Sequence, residues 1–423
     1  MEMRSGLTIL GAGLSGRAAA RLAAAEGRGG QVVTEKLPPA PEIDELAAFG
    51  FSCRTALPDL LAEEILLSPG IPLTHPWFQQ LRERQASGIP EFEWAARRLK
   101  GPQIAVTGSL GKTSMVLLAA ALLREAGYTV TVSGNIAPPV SEVARTHPVA
   151  DFHVLELSSF QLENLRSYRP DRALCLNLFP NHLDRHGDMK TYAEAKARLF
   201  ACQQPGDLAV WPEDYPAPVG GKAARLRVES VRLPPLTGTP FASPALRLNL
   251  QGLFALLSGI PGIDPFRQEP VLREFQFPPH RMQVLSVPGA GRVVDDSKST
   301  CLRASMAALS SVQGEVQLVM GGIDKGESLE EFLPLLRERN PRLYLFGRSA
   351  KKMKQAWQDS VDECLCFDTL GSLIPVLWEA RTCSQILLFS PGCASFDQYE
   401  SYAARGQHFQ RLVAAQSATH PIY

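Results

Sequence analysis

The 423-residue chain lacks an excess of charge of either sign, since 43 Lys plus Arg balance 43 Asp plus Glu. No global positive field exists to gather a polyanion, which sets aside a nucleic-acid or anionic-membrane protein and leaves room only for local basic pockets. Metal-type cysteine spacing is missing too. The eight cysteines, at 53, 175, 202, 301, 364, 366, 383 and 393, never form the paired CxxC ligands of structural zinc. They read as reduced thiols of a cytoplasmic protein. Long apolar runs are absent: Leu248 to Ile263 is interrupted by Gly252, Gly259, Pro261 and Gly262 and is too short to span a bilayer. The opening Met-Glu-Met-Arg runs into Leu7–Leu10 and then glycine, without the core and cleavage site of a signal peptide. Short-period repeats and low-complexity tracts are also lacking.

What is present is a globular composition, 45% hydrophobic and 20% charged, over a length that suits two to four domains. Short apolar runs that end in glycine or serine recur, each followed by a helical pattern; examples are Leu7–Leu10, Ile104–Val106, Val316–Met320, Leu343–Phe346 and Ile386–Phe389. That alternation predicts an α/β fold with parallel sheets. Seams fall at Ser87-Gly88-Ile89-Pro90, with Gly101-Pro102 beyond, and at Phe277-Pro278-Pro279. The expectation is three domains: a Rossmann-like domain over 1–92, a central P-loop domain with a mainly parallel sheet over 93–279, and a second Rossmann-like domain over 280–423. The proline-rich Trp211–Pro244 stretch shows no readable period.

Gly11-Ala-Gly13-Leu14-Ser15-Gly16 follows the first strand and opens the alanine-rich helical run Arg17–Ala25. Two glycines let backbone approach a diphosphate and the third lets helix pack on strand. Glu35 falls where a ribose-binding acid would sit. NAD or FAD, another nucleotide diphosphate, and a purely structural turn all remain open at this point.

Thr107-Gly108-Ser109-Leu110-Gly111-Lys112-Thr113-Ser114 follows Ile104–Val106 and opens the apolar helix Met115–Leu123. Backbone amides of such a loop cradle phosphates, Lys112 neutralises them, and the Thr113 hydroxyl can ligate Mg²⁺. The match is to a short Gly-x-x-Gly-Lys-Thr form, and it predicts a nucleoside triphosphate site. Downstream, Glu156-Leu-Ser158-Ser159 ends the apolar run from Val154, placing oxygen donors at a strand's C-terminal end. Asn181-His182-Leu-Asp184-Arg185-His186 follows the run Ala173–Leu178. Alone, His182 reads as an exposed loop histidine; with the phosphate loop and Glu156 on one sheet edge it reads as a metal ligand.

The block from Gly108 through Glu156-Leu-Ser-Ser-Phe-Gln-Leu-Glu163 to His182-Leu-Asp-Arg-His-Gly resembles the Mur ligases, ATP-dependent amide-forming enzymes of peptidoglycan assembly. Pro279-His280-Arg281-Met282, Asp296-Ser297-Lys298-Ser-Thr300, Gly321-Gly322-Ile-Asp324-Lys325 and Ser390-Pro-Gly-Cys-Ala-Ser395-Phe-Asp-Gln-Tyr399 resemble the branch that adds D-glutamate. The resemblance covers all three expected domains. It implies that ATP phosphorylates the alanyl carboxylate of UDP-N-acetylmuramoyl-L-alanine and that D-glutamate then displaces the phosphate. The implied partners are these substrates, with no nucleic acid, no membrane insertion and a monomeric chain. Rivals are a related ligase with another acceptor, a folylpolyglutamate-synthase-like enzyme, and a nucleotide-binding paralogue without turnover.

The resemblance also implies residue roles. Thr113 would hold one Mg²⁺ and Glu156 with His182 a second, Mn²⁺ being an alternative ion. Lys196 matches a lysine carbamylated to N6-carboxylysine, although a helix lysine by itself reads as a solvated face residue. Asn135 in Gly134-Asn135-Ile136, Arg281 and Asp296 would contact ATP, the last two carried in by a closing third domain. Lys298, Thr300, Lys325, Ser395 and Tyr402 would form the amino-acid pocket, with Ser395 opening a helix whose amides attract carboxylate. Gly13, Leu14 and Ser15 would lie near the diphosphate and Thr34, Glu35 and Lys36 near uridine, and Ser158 would touch substrate. The chain departs from the family at Leu110, where asparagine or lysine is usual, at Asn181 for aspartate, and at Cys301 for asparagine. The adenine-binding Gly-x-His-Asn-x-x-Asn block is reduced to Ala245–Gln251.

Overall fold

The computed structural model describes residues 6–59, 61–212, 220–226, 228, 231–237, 239, 241, 244–288 and 291–419. Part of Trp211–Pro244 therefore lies outside the described residues. The chain divides into two compact units, Met1–Leu178 with Arg185–Glu274, and Phe179–Asp184 with Phe275–Tyr423.

The first unit holds two parallel sheets. Strands β1 (Leu7–Leu10), β2 (Gly30–Val33), β3 (Phe51–Arg54), β4 (Glu64–Leu67) and β5 (Ile89–Pro90) lie in the order β3-β2-β1-β4-β5. Leu7–Leu10 is buried at all four residues, because helices cover both faces of a parallel sheet and leave no polar side to read. The order reverses at β1, so a crevice opens beyond the ends of β1 and β4. The second sheet comprises β6 (Gln103–Thr107), β7 (Val130–Gly134), β8 (Phe152–Glu156), β9 (Arg172–Cys175), β10 (Leu208–Val210) and β11 (Ala224–Leu226). Its order is β11-β10-β9-β6-β8-β7, with β6 at the switch point.

Helices Leu14–Ala25, Glu91–Ala96 and Val140–Thr146 join these sheets through one continuous core, in which Ala19, Leu22 and Ala23 meet Phe92, Trp94, Val140 and Val143. The seam read at Ser87–Pro90 runs into Glu91–Ala96, a helix whose six residues are all buried. Helix Lys112–Glu125 is buried over most of its circumference, which matches its all-apolar run.

The second unit carries β12 (Gln283–Leu285), β13 (Val293–Asp295), β14 (Val316–Gly321), β15 (Arg342–Phe346), β16 (Cys364–Phe367) and β17 (Ile386–Phe389). They lie in the order β12-β13-β17-β14-β15-β16, with β12 alone antiparallel. Alternation is visible across this sheet. Val294, Leu318, Met320, Leu343, Leu345 and Leu388 enter one core, whereas Val293, Val319, Tyr344, Phe346, Leu387 and Phe389 enter the other. Two buried faces explain why these strands read as unbroken apolar runs. No helix among the described residues is long and apolar enough to cross a membrane.

Candidate active site

The glycine turn after β1 is an open cradle. Gly11 stands at φ +101°, where a Cβ would meet the Ser68 side chain at 2.8 Å, and a Cβ on Gly16 would fall on the Gly11 carbonyl. Gly13 faces open space instead. With Leu14 and Ser15 it lines a cavity of about 400 Å³ together with Thr34, Glu35, Ser68–Ile71 and Trp77. The Ser68–Ile71 and Trp77 lining escaped the sequence reading, although Leu66-Leu67-Ser68-Pro-Gly is the same strand-to-turn signal. Glu35 pairs with His75 Nε2 at 2.9 Å, and His75 Nδ1 accepts the Trp77 amide at 3.2 Å. An acceptor Nδ1 puts the ring proton on Nε2, so neutral His75 donates to Glu35. The Thr34 hydroxyl donates to the Lys36 carbonyl, which shapes the same rim.

The turn after β6 is held by neighbouring segments, with Gly108 and Ser109 buried and Leu110 to Thr113 partly exposed. Gly108 and Gly111 take φ +143° and +83°, and Gly111 caps helix Lys112–Glu125. The Ser109 amide donates to the Asn177 carbonyl at 3.0 Å, and its hydroxyl meets Tyr192 Oη at 2.9 Å. Asn177 Oδ1 accepts the Leu110 amide at 2.9 Å, while Asn177 Nδ2 donates to the Leu110 carbonyl and to Asn249 Oδ1 at 3.1 Å each. The Leu110 backbone is thus clasped on both sides, whatever its side chain. Asn249 belongs to helix Pro244–Leu256, so the weakened Ala245–Gln251 segment still delivers a buried amide to Gly111. Lys112 Nζ folds back onto the Gly108 and Ser109 carbonyls at 2.7 and 3.1 Å. Ser114 is buried in the first helical turn, behind Thr113.

Lys196, read alone as a solvated residue, is 1% exposed. Its Nζ donates to the Gly108 carbonyl at 3.0 Å and to Thr107 Oγ1 at 3.4 Å, over the Tyr192 ring. Burial first, and the Lys112 cation second, hold its ammonium well below the usual lysine range. Glu156 ends β8 at 2% exposure; Asn135 Nδ2 donates to its Oε1 at 2.9 Å, and its Oε2 is buried with no hydrogen-bond partner. Ser158 caps the turn Ser159–Leu162 reciprocally with Gln161. An orphaned carboxylate oxygen on the strand that pairs with β6, just before the phosphate loop, fits Mg²⁺, which takes few protein oxygens and fills its shell with water and phosphate. Among the described residues no group of three or more His, Cys, Asp or Glu side chains is placed to hold a metal ion. His182, in the Phe179–Asp184 segment of the second unit, takes φ +56°, a left-handed backbone uncommon outside glycine.

In the second unit the segments that follow β13, β17 and β14 leave one edge of the sheet and carry most of the remaining candidates. Arg281 lies between two left-handed residues, His280 at φ +62° and Met282 at φ +47°. His280 Nδ1 meets Asp295 Oδ2 at 2.7 Å, and the His280 carbonyl accepts the Lys298 amide at 3.0 Å. Asp296 accepts Ser390 Oγ at 2.7 Å and the Met282 amide at 3.1 Å, and burial pushes its carboxyl up to about 7. Lys298 Nζ rests 3.9 Å over the Tyr402 ring. Buried Arg405, missed in the sequence, donates to the Ser297 and Cys393 carbonyls at 2.8 and 2.9 Å and so ties the Lys298 turn to the Ser395 segment. Its only signal was an arginine on the same helix stripe as Phe409 and Val413. One expectation fails: Ser395 opens no helix. The Ile323–Ala394 bridge holds the preceding residue extended, Ser395 begins a turn, and the helix starts at Tyr402.

A glycine-lysine turn at a parallel-sheet switch point, backed by a buried lysine and a glutamate, defines a P-loop enzyme that uses a nucleoside triphosphate. A profile of the Mur ligase middle domain matches residues 106–232. The chain is 35% identical to the UDP-N-acetylmuramoylalanine–D-glutamate ligase of Oleidesulfovibrio alaskensis, covering 98% of this chain and 96% of that protein. To the ligase of the same name from Acidobacterium capsulatum it is 32% identical over 96% and 95% of the two chains. Among solved structures, MurF ligase from Thermotoga maritima, in complex with ADP, shares the fold at TM-score 0.62 and 17% identity over 92% and 95% of the chains. E. coli FolC shares it at TM-score 0.52 and 17% identity over 83% and 100%. The chain belongs to the Mur ligases, in the family of UDP-N-acetylmuramoylalanine–D-glutamate ligases.

Proposed function

We propose that the protein joins D-glutamate to the alanyl carboxylate of UDP-N-acetylmuramoyl-L-alanine at the expense of ATP. The observation that carries this reading is the packed phosphate loop, with Lys196 and Glu156 buried against it, in a chain alike over its whole length to ligases of that name. A carboxylate oxygen of the alanyl group takes the γ-phosphoryl group and ADP departs. The D-glutamate amine then adds to the acyl carbon, loses a proton, and phosphate leaves as the amide forms.

Lys112 faces the transferring oxygens, where a fixed cation in a dry loop stabilises developing charge. Thr113, Glu156 and His182 would hold Mg²⁺ or Mn²⁺, two ions in all, which supply charge neutralisation on the phosphates. Lys196 is suited to carbamylation because its depressed basicity leaves a neutral amine to add CO₂, with release of one proton. The carbamate would turn that neutral amine into an anionic metal-facing group. Asn135 orients Glu156, and Gly108 to Ser114, Arg281 and Asp296 bind ATP. Gly13, Leu14, Ser15, Thr34, Glu35 and Lys36 bind the UDP moiety, and Ser158 contacts substrate near the alanyl end. Lys298, Thr300, Lys325, Ser395 and Tyr402 bind D-glutamate, two ammonium groups answering two carboxylates. The three sheets serve as three functional domains, divided near residues 92 and 279.

Phosphate release with ATP, Mg²⁺ and the UDP substrate tests the reading when D-glutamate is compared with L-glutamate, L-lysine and no acceptor. Turnover that requires D-glutamate is expected. Equal turnover with L-lysine overturns the acceptor assignment, and none with any acceptor from folded, substrate-binding protein favours a non-catalytic paralogue.

A further inference from the structure

The arms of the proposed acceptor pocket come from separate segments: the turn after β13 with Lys298 and Thr300, the loop after β14 with Lys325, and the loop after β17 with Ser395. On one flank of Lys325, Ile323 and Ala394 exchange backbone hydrogen bonds at 2.8 and 2.9 Å, which fastens the lysine's loop one residue before Ser395. On the other flank, Glu327 Oε2 accepts the Leu302 amide at 2.8 Å, two residues beyond Thr300. That amide is the first of helix Leu302–Ser311, whose cap residue Cys301 makes no side-chain capping bond. A thiol is a weak acceptor, and here it is buried. The free helix end is therefore satisfied from another loop, and the same bond spans two arms of the pocket.

The Glu327 carboxylate is half-buried and touches no other pocket residue by hydrogen bond among the described contacts. Burial raises it above the usual carboxylate range, Lys325 pulls it down, and Asp324 and Glu331 push it up. Next to the brace, Asp324 turns its own loop by accepting the Gly326 amide at 3.0 Å and pairs with Lys352. The loop that carries Lys325 is thus held at both ends and stiffened in the middle.

We infer that Glu327 is a positioning residue for the acceptor amino acid, its bond to Leu302 fixing the spacing between Lys325 and Thr300. The inference rests on the reading of Lys298, Thr300, Lys325 and Ser395 as the acceptor pocket.

The test uses the full chain and compares kcat, KM for D-glutamate, KM for ATP and Tm in four variants. Lys325→Ala raises KM for D-glutamate. Glu327→Ala raises it about tenfold, the loss of one charge-assisted hydrogen bond, and leaves KM for ATP within about twofold. Glu327→Gln, whose amide oxygen still accepts, stays close to wild type. Cys301→Asn placed in the Glu327→Ala background returns a side-chain cap to the helix. It restores Tm while KM for D-glutamate stays high, and it carries the comparison if the single variant does not fold. Recovery of KM together with Tm in that double variant reduces Glu327 to a helix cap and overturns the inference. An unchanged KM in Glu327→Ala beside a raised KM in Lys325→Ala also overturns it and leaves the pocket standing. An unchanged KM in Lys325→Ala removes the pocket reading and the brace with it.

Discussion

The two glycine turns of the first unit begin alike, each leaving a buried parallel strand at a switch point and entering a helix, yet they end as opposites. After β1 the backbone lines an open cavity of about 400 Å³, with Leu14 70% exposed and nothing near Gly13. After β6 the loop backbone is held, Gly108 by Lys196, Ser109 by Tyr192 and Leu110 by Asn177, with Asn249 bonded behind Asn177. A turn that only holds a ligand can wait open, whereas one that moves a phosphoryl group must be set beforehand, since misplacement raises the barrier directly. The glycines alone could not distinguish these cases; what surrounds them does.

The strongest break in this contrast is removal of the charges under the packed turn. Lys112→Ala and Lys196→Ala should each cost turnover at least ~10³-fold, and bicarbonate should not rescue the second. Independent of activity, the folded protein should give a carbamate carbon signal with labelled bicarbonate that Lys196→Ala lacks; its absence, with Lys196→Ala near normal, removes the carbamate. Next come the glycines themselves. Gly16→Ala drives a Cβ onto the Gly11 carbonyl, and Tm should fall by roughly 5–10 °C. Gly13→Ala should leave Tm alone and raise KM for the UDP substrate; equal effects on Tm would erase the distinction between packing and ligand-facing glycines.

Smaller effects sharpen the comparison. Asn177→Ala strips the Leu110 backbone of both partners and should raise KM for ATP about tenfold. An unchanged KM means that the loop holds its shape without the clasp. The joint between the two sheets offers a pH test. Glu91 is buried and hydrogen-bonded by Ser141, and burial pushes its carboxyl up to about 7. A raised carboxyl binds its proton more tightly in the folded state, so its stabilising share is complete below the unfolded value near 4 and is lost as pH rises to about 7. Glu91→Gln should therefore gain Tm relative to wild type between pH 5 and 8 by a few degrees, roughly. A gain that does not grow with pH would show that Glu91 ionises freely.

Much of this was legible along the chain because it is written locally. Leu7–Leu10 and Ile386–Phe389 are strands at the residues expected, and Ile104–Val106 extends by one residue at each end, all from apolar runs that two covered faces demand. The turn sequences located two glycine loops at the right strand ends. What stayed hidden depends on distant partners. Asn177 meets Leu110 across 67 residues and Asn249 across 72, and Arg405 reaches Gly321 across 84. No local period reports such pairs. Lys196 misled for the same reason, since a helix pattern cannot show that a glycine loop folds over the lysine. Ser395 misled in the opposite sense: the strand end suggested a helix, and the bridge to Ile323 prevented one.

The central claim, that the packed turn passes phosphate to a carboxylate before the amide forms, is tested most directly by oxygen transfer. UDP-N-acetylmuramoyl-L-alanine carrying heavy oxygen in its alanyl carboxylate is turned over with ATP and D-glutamate, and the released phosphate is weighed. The account predicts that each phosphate carries one heavy oxygen and that the product amide retains the other. Unlabelled phosphate formed in step with product would contradict it.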